Sequence, residues 1–336
     1  MKNNQLMIYG AYGYAGELMV REAVAQRLRP IIAGRDAEKL KPIATELSLE
    51  CRAFGVRNTG SNLQDISVLL NCAGPFSATA EPLARACLAQ QIHYLDITGE
   101  IDIFRKCHAL DEEARQQNVL ILPGAGTDIV PTDCLAAMLK EKLPVATRID
   151  LALSFGTNPS IGTVNTMIES FGKGGLIREG GMLKVVSNAF QMRKIPFQNK
   201  PQWAMTIPWG DVFTSGISTG VPDGAVYMAM PRMSIHMIRL TNPVKGILNT
   251  QFGQKITKRL AGWLMKKGPD AKALEAGRGQ FWGEAEAPDG EKLEMTMSTP
   301  NVYALTATVG IRIAQYCLDY TGPGGYYTPS MLLGSR

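Results

Sequence analysis

Gly10-Ala11-Tyr12-Gly13-Tyr14-Ala15-Gly16 follows the short apolar run Leu6-Met7-Ile8-Tyr9 and precedes a helix-like stretch from Glu17 to Gln26. Glycines at such a strand-to-helix turn let the main chain approach a pyrophosphate, and the helix N-terminus faces the negative charge. The spacing is G-x-x-G-x-x-G rather than G-x-G-x-x-G, so the surrounding sequence has to carry the reading.

That surrounding sequence is the next apolar run. Pro30-Ile31-Ile32-Ala33 reads as a second strand, ending in Gly34-Arg35-Asp36 before a polar helix from Ala37 to Leu47. In a nucleotide-binding sheet this strand end meets the adenosine ribose, where an acid suits a free 2′-hydroxyl and an arginine suits a 2′-phosphate. Arg35 comes first, and a guanidinium matches a phosphate in a way a carboxylate cannot. NADP is therefore favoured over NAD. Asp36 also suits the N-cap of the following helix, and the two roles are compatible.

Further strands are expected at Cys51 to Phe54, Val68 to Ala73, His93 to Thr98 and Val119 to Leu122, with helices at Glu81 to Gln90 and Asp102 to Gln117. Short apolar strands alternating with helices predict an α/β fold, a Rossmann-type doubly wound parallel sheet. Such sheets take ligands at the carboxyl ends of the strands. Those ends carry Asn71-Cys72-Ala73-Gly74-Pro75-Phe76, Asp96-Ile97-Thr98-Gly99-Glu100 and the run from Pro123 to Asp133.

From Arg148 the pattern changes. Arg148 to Phe155 alternates like a strand with one solvated face, a helix is expected near Gly162 to Phe171, and strand-like stretches include Met205 to Trp209 and Ala225 to Met230. A second, α+β domain for substrate and dimerisation is expected over residues 148–300. Residues 1–147 form the dinucleotide-binding domain, completed by a helix from Ala304 to Leu318 and the tail, 301–336.

A length of 336 residues, with 45% apolar and 19% charged residues, suits a two-domain protein with a sizeable core. No apolar stretch approaches the ~20 residues that span a bilayer. The first strand begins by Leu6, which leads to the expectation of no signal peptide and a cytoplasmic location. Six scattered cysteines without a C-x-x-C pair, and three histidines, predict buried thiols and no metal site. The net charge is +5, but the stretch from Arg232 to Arg278 holds ten Lys or Arg against Asp270 and Glu275, or +8, leaving −3 elsewhere. A local excess of this kind does not indicate nucleic-acid binding.

Together, these strand-end groups resemble the saccharopine dehydrogenase-like oxidoreductases, which include the trans-acting enoyl reductases. Trp209-Gly210-Asp211-Val212, Ser218-Thr219-Gly220-Val221-Pro222, Trp282-Gly283-Glu284 and Gly325-Tyr326-Tyr327-Thr328-Pro329 add to the likeness. The resemblance implies a nicotinamide cofactor on the first domain, an α+β domain beside it, a homodimer, and reduction of a C=C or C=N bond of a small-molecule or acyl substrate. Cofactor contacts are expected from Gly10, Ala11, Tyr12, Gly13, Tyr14, Ala15, Gly16, Arg35, Asn71, Ala73, Gly74, Pro75, Thr98 and Gly99.

Hydride transfer needs a proton source opposite the nicotinamide. Tyr12, Tyr14 and Tyr94 have no lysine four residues on, so a Tyr-x-x-x-Lys mechanism is disfavoured. The candidates are Asp211, Asp128 and Asp133, with Asp211 placed first. Each has a plain structural alternative: a turn for Asp211 and Asp128, a helix cap for Asp133. Asp96, inside an apolar strand, reads as an acceptor of backbone hydrogen bonds, and His93 as a structural histidine. Lys173 suits either an anionic substrate or a solvated loop. The basic stretch 245–267 has an apolar helical face through Leu248, Phe252, Ile256, Leu260, Trp263 and Leu264. Peripheral membrane contact by this stretch is an alternative to a dimer or covering helix and is not favoured, because Gly253 and Gly262 weaken it. A non-catalytic or membrane-peripheral binding protein retaining the nucleotide fold is the competing function.

Overall fold

The computed structural model describes residues 4–155, 174–240, 242–244 and 277–335. By its internal contacts the chain divides into two compact units, 1–130 with 303–332, and 131–302 with 333–336.

The first unit is built on a parallel sheet of seven strands. These are β1 (Leu6–Tyr9), β2 (Ile31–Gly34), β3 (Cys51–Ala53), β4 (Val68–Asn71), β5 (His93–Asp96), β6 (Leu120–Leu122) and β15 (Gly325–Tyr326). Their order is β15-β6-β5-β4-β1-β2-β3, with β1 between β2 and β4. Met7 is in register with both Ile31 and Leu69. Every residue of β1, β2 and β4 is buried, as a sheet covered on both faces requires. The crossover helices include α1 (Tyr14–Ala25), α2 (Ala37–Leu47), α3 (Phe76–Ala89), α4 (Ile101–His108) and α5 (Asp111–Gln116). The single helix expected over Asp102 to Gln117 is two, broken at Ala109 and Leu110, and Leu110 is buried.

Helix α1 docks through Met19, Val20 and Ala23 onto the sheet core. The late helix α9 (Val302–Leu318) joins the same core with Ala307, Ile311, Ala314 and Cys317. Gly310 is where α9 passes α1: a Cβ there would stand 2.5 Å from the Met19 Cε. The tail, expected as a loop, adds β15 to the sheet edge, and α10 (Pro329–Leu333) follows it.

The second unit contains α6 (Val130–Lys142), nearly all of which falls on its side of the division, α8 (Arg232–Leu240) and a mixed eight-stranded sheet. Strands β10 (Met192–Pro196), β11 (Pro201–Ile207), β12 (Asp223–Ala229), β7 (Arg148–Phe155), β13 (Gly279–Glu286) and β14 (Lys292–Thr299) lie side by side in that order. Only β12 and β7 run parallel along that path. The hairpin of β8 (Gly175–Glu179) and β9 (Met182–Val186) joins through β12. One sheet face holds Ala152, Ala204, Tyr227 and Trp282. On the other, Gly283 admits Leu135 and Leu139 of α6, and a Cβ at Gly283 would lie 2.7 Å from Leu139.

The Trp209-to-Pro222 motif forms a helix, α7 (Asp211–Thr219), ended by Gly220 in the left-handed region at φ 67°. Arg178 of β8 is buried beneath it. Its guanidinium donates to the Val221 carbonyl at 3.1 Å, the Ser215 hydroxyl at 3.1 Å and the Val212 carbonyl. Desolvation pushes this guanidinium down to about 10, against the pull of the Asp223 and Asp150 charges. A Cβ at Gly216 would stand 2.9 Å from three guanidinium atoms, so the glycine makes the seat for the arginine. Overpacking of this kind costs about 1–3 kcal/mol. Gly216→Ala is therefore expected to lower the urea unfolding midpoint clearly, while Gly55→Ala, at a site with nothing within 4 Å, leaves it near that of the parent. Equal midpoints for the two variants would contradict the packing described.

Candidate functional site

The site is the carboxyl edge of the first sheet. Gly10 leaves β1 at φ 86°, in the region glycine tolerates best. A Cβ on Gly10 would strike Ala73 at 2.7 Å, and a Cβ on Gly16 would strike the Gly10 carbonyl oxygen at 2.2 Å. The first glycine thus lets the β1 turn touch the turn after β4, and the third lets α1 press on the turn. Gly13 is the N-cap of α1 and supplies no side-chain acceptor. The first-turn N–H groups of a twelve-residue helix therefore receive no side-chain cap from Gly13, and the helix dipole adds positive potential there.

Alongside, the Tyr12 ring lies against Gly34, where a Cβ would come within 2.6 Å of it. Arg35 follows on the surface and makes no hydrogen bond or ion pair among the described residues. Asp36 caps α2, accepting from the backbone N–H groups of Glu38 at 3.1 Å and Lys39 at 3.3 Å. The Tyr9 hydroxyl donates to the Phe54 carbonyl at 2.9 Å. Burial raises its pKa with help from Tyr12, and the Arg35 charge opposes this.

The ends of β4, β5 and β6 are tied by one buried network. Asn71 Oδ1 accepts from the Ala73 N–H at 3.0 Å, and Asn71 Nδ2 donates to the Tyr94 and Thr79 hydroxyls, each at 3.2 Å. Tyr94 donates to Asp96 at 2.9 Å. Asp96 also accepts from the Thr98 N–H at 2.9 Å and the Gly124 N–H at 3.0 Å. Burial raises the Asp96 carboxyl to about 6, although both backbone donors and Tyr94 favour its charged form. The Thr79 hydroxyl donates to the Ala73 carbonyl at 2.6 Å, and the Gly74–Pro75 bond is cis at the start of α3. Asn71, Ala73, Gly74, Pro75, Thr98 and Gly99 therefore stand on neighbouring strand ends, as does the glycine turn. Thr79, which joins them, carried no sequence signal beyond lying near the motifs.

The three carboxylates proposed for catalysis are placed differently. Asp128 is half-buried in the turn between β6 and α6, in the first unit. Desolvation raises its carboxyl to about 7. Asp133 and Asp211 belong to the second unit and are fully buried. Asp133 lies inside α6, which begins at Val130, rather than capping a helix from Cys134; Asp211 opens α7. His93 accepts from the Leu120 N–H at 3.0 Å, a structural role. Lys173, the helix expected near Gly162 to Phe171 and the whole basic stretch 245–267 lie outside the described residues. Among the described residues there is no group of His, Cys, Asp and Glu able to hold a metal ion. No helix there is long and apolar enough to cross a membrane.

A glycine turn at a helix N-terminus, on a parallel sheet of this order, defines a dinucleotide-binding domain. Residues 6–122 match the family model described as the saccharopine dehydrogenase NADP binding domain. A saccharopine dehydrogenase-like oxidoreductase of Rattus norvegicus is 26% identical over 231 residues, 60% of this chain and 53% of the relative. The Homo sapiens counterpart is 25% identical over 233 residues, again 60% and 53%. A Mycobacterium tuberculosis protein named among the trans-acting enoyl reductases is 28% identical over 206 residues, 55% and 44%. The chain thus spans about half the length of the curated relatives it matches. Among solved structures, saccharopine dehydrogenase (L-Glu forming) of Saccharomyces cerevisiae superposes with a TM-score of 0.64 at 9% identity, covering 97% of this chain and 94% of that one. That likeness is one of fold. Residues 6–122 thus form a domain of the saccharopine dehydrogenase NADP-binding type, and the chain is similar to the saccharopine dehydrogenase-like oxidoreductases.

The raised Asp128 has a consequence for stability. Its carboxyl binds a proton near pH 7 when folded and near pH 3.9 when unfolded. Between those values the folded state holds the extra proton, so this contribution is present at low pH and lost as pH rises through about 7. Asp128→Asn is expected to be less sensitive than the parent to a pH increase from 5 to 8, measured by urea midpoints. Parallel pH profiles for the two proteins would contradict the assignment.

Proposed function

We propose that this chain is an NADP-dependent oxidoreductase that reduces a C=C or C=N bond of a small-molecule or acyl substrate. The observation that carries the reading is the pairing of the Gly13-capped α1 N-terminus with the uncommitted Arg35 at the end of β2. Backbone amides from Gly10 to Gly16 would hold the diphosphate, and Arg35 the 2′-phosphate. NADPH, when bound, supplies the hydride. Asn71, Ala73, Gly74, Pro75, Thr98 and Gly99 fit the edge that holds the nicotinamide half.

Asp128 is the proton source we favour on this unit. A carboxyl raised to about 7 is largely protonated near neutrality and gives up its proton without a large penalty. Asp211 and Asp133 remain the candidates on the second unit. The name of the mycobacterial relative supports a C=C substrate, and the family name supports chemistry at C=N. The cytoplasmic location, the domain limits at 147/148 and 300/301, and a homodimer formed by the second unit are parts of the same proposal.

Quenching of intrinsic fluorescence is the test. NADPH is expected to bind at least about tenfold more tightly than NADH, as a phosphate–guanidinium contact warrants, and Arg35→Ala to remove most of that margin. Equal affinity for the two cofactors in the parent protein would overturn the NADP assignment.

A further inference from the structure

The turn that carries Asp128 is held from two sides. The end of β5 holds its start: the Gly124 N–H donates to Asp96 Oδ1 at 3.0 Å, and the Ala125 N–H to the Asp96 carbonyl at 2.6 Å. Within the turn, the Ile129 and Val130 N–H groups donate to the Gly126 carbonyl at 3.1 Å and 2.9 Å. The second side comes from α9, far along the chain. The Thr127 N–H donates to Thr306 Oγ1 at 3.1 Å, and the Thr306 hydroxyl donates in turn to Thr127 Oγ1 at 3.0 Å.

Helix α9 comes this close because two glycines leave room for it. A Cβ on Gly126 would stand 3.2 Å from the Thr306 methyl carbon and 3.3 Å from Ile97 Cβ. One on Gly310 would stand 3.1 Å from the Ala125 carbonyl oxygen. Thr306 and Gly310 share a helix face, and Tyr303, one turn earlier, extends it. The Tyr303 ring meets that of Tyr14, the first residue of α1, edge-on with centroids 5.2 Å apart. One face of α9 thus runs from the glycine turn to the turn that carries Asp128.

We infer that Thr306 is a positioning residue for Asp128, its hydroxyl fixing Thr127 so that the neighbouring carboxyl keeps its half-buried place in the turn. The inference rests on the reading of Asp128 as the proton source and adds the group that holds it there. A hydroxyl suits the task because it accepts and donates at once, engaging both the N–H and the side chain of Thr127. Without it both contacts are lost, the turn loosens and water reaches the carboxyl, which favours the charged form. Titratable groups on the flanking elements include Asp96 at the end of β5, Tyr303 and Arg312 on α9, and Asp133 and Cys134 in α6. All of them are retained in the variants below, so a moved titration reports the position of the carboxyl.

The test is a pH titration of the Asp128 carboxyl by carbon NMR on the aspartate-labelled full chain, the signal being identified by its loss in Asp128→Asn. Thr306→Ser and Thr306→Ala differ by the hydroxyl alone, and alanine is the strongest helix former, so α9 survives the change. Urea midpoints verify this. The expected midpoint is about 7 in the parent and in Thr306→Ser. It is expected to fall by about one pH unit in Thr306→Ala and Thr306→Val, as partial rehydration of a buried carboxyl requires. Midpoints near that of the parent in all three variants would overturn the role of Thr306 and leave the reading of Asp128 intact. A fall in Thr306→Ser equal to that in Thr306→Ala would assign the effect to the lost methyl group and overturn the role of the hydroxyl. A parent that titrates in the ordinary carboxylate range, near about 3.9, would overturn Asp128 as the proton source, and this inference with it.

Discussion

The contact on which the first unit depends is between main-chain segments that only glycine allows to meet. Gly10 lies against Ala73, and Gly16 against the Gly10 carbonyl, at distances no Cβ could occupy. This draws the end of β1, the start of α1 and the turn after β4 into one surface. It also leaves the α1 N-terminus without a side-chain cap from Gly13, at an end of positive potential. The same closeness that builds the core therefore shapes the turn proposed to hold the diphosphate.

A second constraint organises the other half of the edge. Asn71, Tyr94 and Asp96 form a chain of hydrogen bonds that reaches the turns after β4, β5 and β6. Buried polar groups in such a chain are costly unless all are satisfied, and the arrangement fixes three loops relative to one another. The second unit uses a comparable device. Arg178 is buried under α7 and holds the carbonyls of Val212 and Val221, with Gly216 clearing the space. The run from Trp209 to Pro222 is thus a helix, its glycine cap and the seat of an arginine.

Much of this was legible in the sequence because local physics decided it. The β1 turn and β2, with the Asp36-capped α2, follow from apolar runs, glycines and an N-cap residue, and α2 spans the residues expected. The family likeness was legible too, since its motifs fall at strand ends whose order the sheet rules dictate. The break in the helix after α4 was missed because the residues from Asp102 to Gln117 keep a helical composition throughout. The β15 pairing was missed because two residues between glycines and a proline give no periodicity. Asp133 read as a helix cap because its type suits one; only the start of α6 at Val130 places it within the helix.

The account stands most directly on where a bound coenzyme places its phosphates. A crystal structure with NADPH is expected to show the diphosphate on the first-turn amides of α1 and the 2′-phosphate within hydrogen-bonding reach of Arg35. Diphosphate density elsewhere on the chain, or a 2′-phosphate turned away from Arg35, would contradict it.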